Sequence, residues 1–129
     1  MKPLLKILFA AVLLAPAACA EVYELRTYTT HEGKLPALLA RFRNHTTKLF
    51  EKHGIRNIGY WVPQDPARHE NTLIYLVAHP SMDAAKRDWD AFREDPAWVK
   101  ARTESEAQGK IVLKVESVYM DSTDFSKLK

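Results

Sequence analysis

Glu24, Arg26 and Tyr28 stand two residues apart in the stretch VYELRTYTT, alternating with Tyr23, Leu25 and Thr27. Strand geometry sends residues i, i+2 and i+4 to one face, so a carboxylate, a guanidinium and a phenol fall in a row. A guanidinium so placed can hold an anionic or carbonyl oxygen, and a neighbouring phenol can move a proton. The plainer alternative is that Arg26 is neutralised inside the sheet by Glu24 or Glu116, because a buried guanidinium needs a partner. Tyr60 and Trp61 add aromatic area with a polar handle. Adjacent strand residues point to opposite faces, so at most one of these two lines a cavity directly. The candidate ligand-binding set is therefore Arg26, Tyr28, Glu24, Tyr60, Trp61 and Glu116.

Other chemistries find little support. His45 and His53 lie eight apart on one predicted helix, too distant to share a metal, and no H-E-x-x-H or Cys/His pattern occurs. His53 suits a helix C-terminus, His31 and His69 read as loop residues, and His79 as a strand end. The chain has no haem motif, no Ser or Cys nucleophile motif and no glycine-rich phosphate loop, so neither metal nor cofactor is expected. Asp88, Asp90, Glu94 and Asp95 read as a solvated helix face, with Asp95 as a cap before Pro96. Lys100, Arg102 and Lys127 read as surface charges.

The elements that must position these residues are legible from periodicity and breakers. Residues 21–29 form a strand, and 34–52 a helix with apolar residues at Leu35, Leu38, Leu39, Phe42, Thr46, Leu49 and Phe50. Pro36 is tolerable there only in the first turn, and Gly54 fits the left-handed position after the helix. Strands follow at 55–62 and 72–78, separated by a polar loop with two prolines. Ser81 caps a helix running to about Glu94, Asp95-Pro96 interrupts it, and 96–107 continues as a shorter piece. A last strand at 110–120 precedes a polar tail, 121–129. The order β-α-β-β-α-β predicts an α+β, ferredoxin-like domain over 21–120, with a four-stranded antiparallel sheet and both helices on one face.

Residues 1–20 read as a signal peptide: Lys2 and Lys6 precede the apolar run 7–14, and Ala18-Cys19-Ala20 offers a cleavage site. Export to the periplasm or medium is expected, with lipid attachment at Cys19 as the minor alternative. The apolar run is short for a bilayer core of about 30 Å, so no integral membrane span is expected. Cys19 is the only cysteine, which leaves packing to stabilise an exported domain without an internal disulfide. Without the two signal lysines the chain carries 17 basic and 16 acidic side chains, and no dense cationic cluster points to nucleic acid.

Both faces of the central hairpin carry large apolar groups: Tyr60, Ile74 and Leu76 on some positions, Trp61, Leu73, Tyr75 and Val77 on others. One wet face would not suit such a sheet, so a second sheet packed on it, supplied by a homodimer, is expected. Closure of two sheets around one interior would turn Glu24, Arg26 and Tyr28 inward.

Tyr23-Glu24-Leu25-Arg26-Thr27-Tyr28, followed by Gly33-Lys34-Leu35, resembles the opening of a NIPSNAP-family domain. His53-Gly54, Gly59-Tyr60-Trp61, the hairpin containing Asn71 and Asp95-Pro96-Ala97-Trp98 continue the likeness in order, over about 22–120. The resemblance implies a dimeric α/β-barrel, a fold shared with small monooxygenases, EthD-like proteins and some haem enzymes. The better-known members serve vesicle handling and mitochondrial quality control, roles that do not transfer to an exported chain. Three functional expectations result. The first is a homodimer binding a small hydrophobic or mixed-polarity molecule in its barrel. The second is a cofactor-free, monooxygenase-like enzyme acting on an activated aromatic. The third is a protein-interaction module using its helices or the 63–70 loop.

Overall fold

The computed structural model describes residues 20–129, together with Met1 and Ala11. The signal-peptide and Cys19 expectations lie outside the described residues. In chain order come β1 (Val22–Thr30), α1 (Leu35–Arg41), a π-helical turn (Phe42–Thr46), α2 (Thr47–Lys52), β2 (Arg56–Trp61), β3 (Thr72–His79), α3 (Met82–Glu94), α4 (Pro96–Ser105) and β4 (Val112–Asp121). Among the described residues no helix is long and apolar enough to cross a membrane.

The first helical segment is continuous, but its middle widens. An α-helix turns about 100° per residue, so Phe42 and Phe50, eight apart, would diverge by about 80°. The extra residue of the π turn removes that divergence, and the two rings meet edge-on at 5.9 Å. The hydroxyls of Thr46 and Thr47 donate to the carbonyls of Arg41 and Phe42, five residues back, at 3.3 and 3.1 Å. The second helical region divides as its sequence indicates. Ser81 Oγ accepts from the Ala84 amide at 3.0 Å, and Asp95 Oδ1 accepts from the Ala97 amide at 2.8 Å.

The strands form one antiparallel sheet in the order β2-β3-β1-β4. The ferredoxin-like arrangement is present, but the expected α/β-barrel is not. Closure would require β2 to pair with β4, and these strands form the two opposite edges of an open sheet. A second expectation is corrected with it. Glu24, Arg26 and Tyr28 do not face outward to a second sheet but lie under the chain's own helices, opposite Val77, Tyr75 and Leu73. Alternation separates two faces; it does not say which one the crossover helices cover.

Two bulges adjust the faces. One between Asn57 and Gly59 puts Asn57 and Tyr60 on the helix side, where the Tyr60 hydroxyl donates to Asn57 Oδ1. Beyond it the Trp61 ring lies across Gly59 on the open face. A Cβ added at Gly59 would come within 2.5 Å of that ring. The other bulge, at Thr29/Thr30, moves Val112 to the helix side, away from Lys114 with which simple alternation groups it. The open face carries Leu25, Ile74, Leu76, Val118 and Trp61. The last two are 56% and 54% exposed. Tyr23 is buried on this face and, with Leu76, Met120 and the tail residues Ser122, Ser126 and Leu128, borders a depression of about 240 Å³.

Candidate functional site

Glu24 is the centre of a buried polar cluster on the helix side of the sheet. One carboxylate oxygen accepts from His79 Nε2 at 2.8 Å and from Trp89 Nε1 at 2.7 Å. The other accepts from Arg26 Nη1 at 2.6 Å and from Ser117 Oγ at 2.5 Å. Burial alone would push this carboxyl up. The hydrogen bonds from His79, Ser117 and Arg26, with the Arg26 charge, outweigh it and hold the carboxyl at about 2. Its lone pairs are fully used, so Glu24 positions its neighbours and has nothing left for a ligand.

Arg26 is held on three sides. Besides the Glu24 ion pair, its Nη2 donates to the Tyr28 hydroxyl at 3.3 Å, and its guanidinium carbon lies 4.3 Å from the centre of the Trp89 ring. Burial acts to lower its pKa, but the Tyr28 and Tyr75 neighbours and the bonds to Glu24 and Tyr28 raise it, so Arg26 stays charged. Tyr28 also accepts a hydrogen bond from the Tyr75 hydroxyl at 3.0 Å. Tyr75 is fully buried, stacks on Tyr60 at 5.1 Å, and burial raises the pKa of both phenols.

The predicted site residues thus separate. Glu24, Arg26, Tyr28 and Tyr60 share the helix side of the sheet, linked through Tyr75. Trp61 lies on the open face, exposed. Glu116 pairs with Thr27 across the ladder, which also puts it on the open face, where it meets Lys114 at 3.2 Å and not Arg26.

Beside the cluster, between β1, β4 and the helices, lies a cavity of about 220 Å³. It is lined by Tyr28, the rings of Phe42, Phe50, Phe92 and Trp98, and by Val112, Val115, Arg41, Arg102 and Glu106. Arg41 is nearly fully buried and Arg102 is exposed at the rim. A wider hollow of about 570 Å³ opens at the start of α1, but its Arg43, His69 and Glu70 are exposed. The smaller cavity is the better site, because Tyr28 and Arg41 converge on it from sheltered positions on a strand and a helix.

Sequence reasoning missed Trp89, His79, Ser117 and Arg41. For Arg41 a signal existed: it stands three residues after Leu38, at helical spacing with the apolar stripe, where a solvated arginine does not belong. The other three reach Glu24 from β3, α3 and β4 and left no local mark. His53 and Asp95 form a separate pair at 2.7 Å, with Lys52 on the same oxygen, and tie the end of α2 to the α3–α4 junction. Among the described residues no group of three or more His, Cys, Asp or Glu is placed to hold a metal ion.

The fold has known counterparts. A NIPSNAP-family protein of unknown function from Agrobacterium tumefaciens is 22% identical with a TM-score of 0.73, over 86% of this chain and 96% of that one. A NIPSNAP-like domain protein from Burkholderia xenovorans is 15% identical with a TM-score of 0.70, over 84% and 90%. SnoaB, a cofactor-independent oxygenase from Streptomyces nogalater, is 15% identical with a TM-score of 0.56, over 84% and 98%. Among curated proteins none matches this chain. The NIPSNAP family model matches residues 23–127, from the second residue of β1 through the end of β4, and the chain belongs to the NIPSNAP family.

Proposed function

We propose that this protein binds a small molecule of mixed polarity, an apolar body bearing one oxygen function, in the cavity between its sheet and its helices. The carrying observation is the Tyr28 hydroxyl. It accepts from both Arg26 and Tyr75, which leaves its own proton to be donated, and its ring lines the cavity. Aromatic walls with a few converging polar groups are the usual composition of a ligand site. Native mass spectrometry of the purified protein, with a denatured mass alongside, tests this. The expected result is an extra small mass that leaves on denaturation and is absent when Val115→Trp fills the cavity. A protein that carries no such mass and takes up no member of an aromatic panel would overturn the reading.

The protein acts, in this reading, as an exported homodimer. Exposed Trp61 and Val118, beside half-buried Leu25, Ile74 and Leu76, make an apolar open face that a second copy would cover. Export predicts that the chain recovered from the periplasm or medium of a bacterial host lacks residues 1–20. A mass retaining them in the soluble fraction argues against it.

A second reading is a cofactor-free oxidation of an activated aromatic by O2. The Arg26–Tyr28 pair favours it, since a phenol whose oxygen already accepts from a guanidinium is a stronger hydrogen-bond donor to an enolate or phenolate in a sheltered site. The fold shared with SnoaB is consistent with it and carries no activity by itself. Oxygen uptake with a hydroquinone, abolished in Tyr28→Phe, is the expected result; uptake equal in the two proteins would exclude it.

A further inference from the structure

Arg41 is the least satisfied charge lining this cavity. Its side chain is almost wholly buried, yet among the described residues its one hydrogen bond is from Nη1 to Ser105 Oγ at 3.2 Å. Glu106 Oε1 stands 3.6 Å away, an ion-pair distance too long for a good hydrogen bond. Arg41 Nε meets no partner among the described residues. A guanidinium carries five N–H donors in a planar fork, and a buried one left this short of acceptors is costly. Burial lowers the Arg41 pKa and Glu106 only partly offsets this, as expected of a cation short of a counter-charge. The aromatic ring of Trp98 supplies one face, its centre 5.0 Å from the guanidinium carbon.

Charge and size then narrow the missing partner. The charged residues lining the cavity are Arg41, Arg102 and Glu106, a net of one positive charge, while Arg26 next door is neutralised by Glu24. One negative charge completes the set; a dianion would reverse it. A cavity of roughly 150 Å³ with apolar walls is enough for benzene. The cavity of about 220 Å³ therefore has room for one ring and one small substituent. Its ring-binding part is aromatic, with Phe92 and Trp98 centroids 4.7 Å apart and Phe42 5.9 Å from Tyr28.

Resting on the cavity reading above, we infer that the ligand is a single-ring aromatic monocarboxylate, its carboxylate held by Arg41 and the Tyr28 hydroxyl and its ring among Phe42, Phe92 and Trp98. A carboxylate matches the guanidinium fork with two parallel hydrogen bonds and accepts the Tyr28 proton donor as a third. Arg102, exposed at the rim, serves to draw the anion in and contributes less once it is bound.

Calorimetric titration of the wild-type protein with benzoate and phenylacetate, against benzamide and phenylacetamide, tests the inference without relying on any variant's folding. Each acid is expected to bind about tenfold to a hundredfold tighter than its amide, the range of a charge-assisted hydrogen bond. Arg41→Lys, which keeps the charge and loses the guanidinium fork, is expected to lose most of that preference, Arg102→Gln a smaller part of it, and Val115→Trp all binding. Acid and amide binding equally would overturn the inference while leaving the cavity reading intact. So would acid binding that survives Val115→Trp, or a cavity found occupied by some other mass while neither acid binds. A cavity that nothing enters would overturn both.

Discussion

Glu24 and His79, 55 residues apart in the chain, meet at 2.8 Å with neither side chain exposed. The contact bridges β1 and β3. With Trp89 and Ser117 also donating, one carboxylate ties together β1, β3, β4 and α3. The cluster does two things: it locks the sheet to its helix, and it fixes the Arg26 guanidinium behind Tyr28 before any ligand arrives.

Glu24→Gln keeps the shape and removes the charge, leaving Arg26 buried without its counter-ion and an amide N–H2 facing other donors. Breaking a buried pair in this way costs about 3–5 kcal/mol. Urea unfolding at pH 7 and fixed protein concentration measures it, and a loss below about 1 kcal/mol would contradict the central place given to this carboxylate.

The same residue sets an acid limit. The Glu24 carboxyl is held at about 2 against an ordinary value of 4.5. A depressed carboxyl contributes stability that is complete above 4.5 and lost as pH falls from there to about 2. The difference corresponds to about 3 kcal/mol. The groups facing it are Arg26, His79, Ser117, Trp89 and Tyr119. Asp95 is also depressed, so total acid sensitivity is not diagnostic. The expected signature is a steeper fall of the wild-type urea midpoint than of Glu24→Gln in that window; parallel curves would refute it.

The two phenols predict an asymmetry. Tyr28→Phe strands the buried Tyr75 hydroxyl, whose one partner among the described residues is Tyr28, and costs about 1–3 kcal/mol. Tyr75→Phe leaves Tyr28 with Arg26 and costs less than about 1 kcal/mol. Ligand binding should also weaken in Tyr28→Phe and persist in Tyr75→Phe. Equal costs for the two, from denaturant midpoints, would show that the Tyr75 hydroxyl does not depend on Tyr28 as its acceptor.

The open face predicts an assembly. Val118→Lys puts a charge at the exposed β4 end of the apolar strip without touching the helix side of the sheet. Light scattering after size exclusion should show a dimer for the wild type and a monomer for the variant, with unchanged far-UV circular dichroism. A wild-type monomer at micromolar concentration would show that no second copy covers the open face.

Much of the frame was readable in the linear chain. The strands and helices, the caps at Ser81 and Asp95, the break at Pro96 and the opposite facing of Tyr60 and Trp61 all follow from period, turn chemistry and the limits of proline. So did the Arg26–Glu24 pair, because residues two apart in a strand are neighbours on one face. The π turn was not readable. It exists because Phe42 and Phe50 must reach one core, a demand made by the sheet and not by the helix itself.

Local order, periodicity and composition therefore determined the elements and the ferredoxin-like arrangement in this protein, and the likeness of its motifs pointed to its family. Only the tertiary structure decided that the Glu24-Arg26-Tyr28 face lies under the chain's own helices, that Glu116 stands on the other side, and that the sheet stays open. It also brought His79, Trp89 and Ser117 to one carboxylate and set Arg41 into a cavity wall. The physical reason is symmetry. Strand alternation is identical for both faces, and strand register, two bulges and the side taken by the crossover helices break that equivalence only when the whole chain packs.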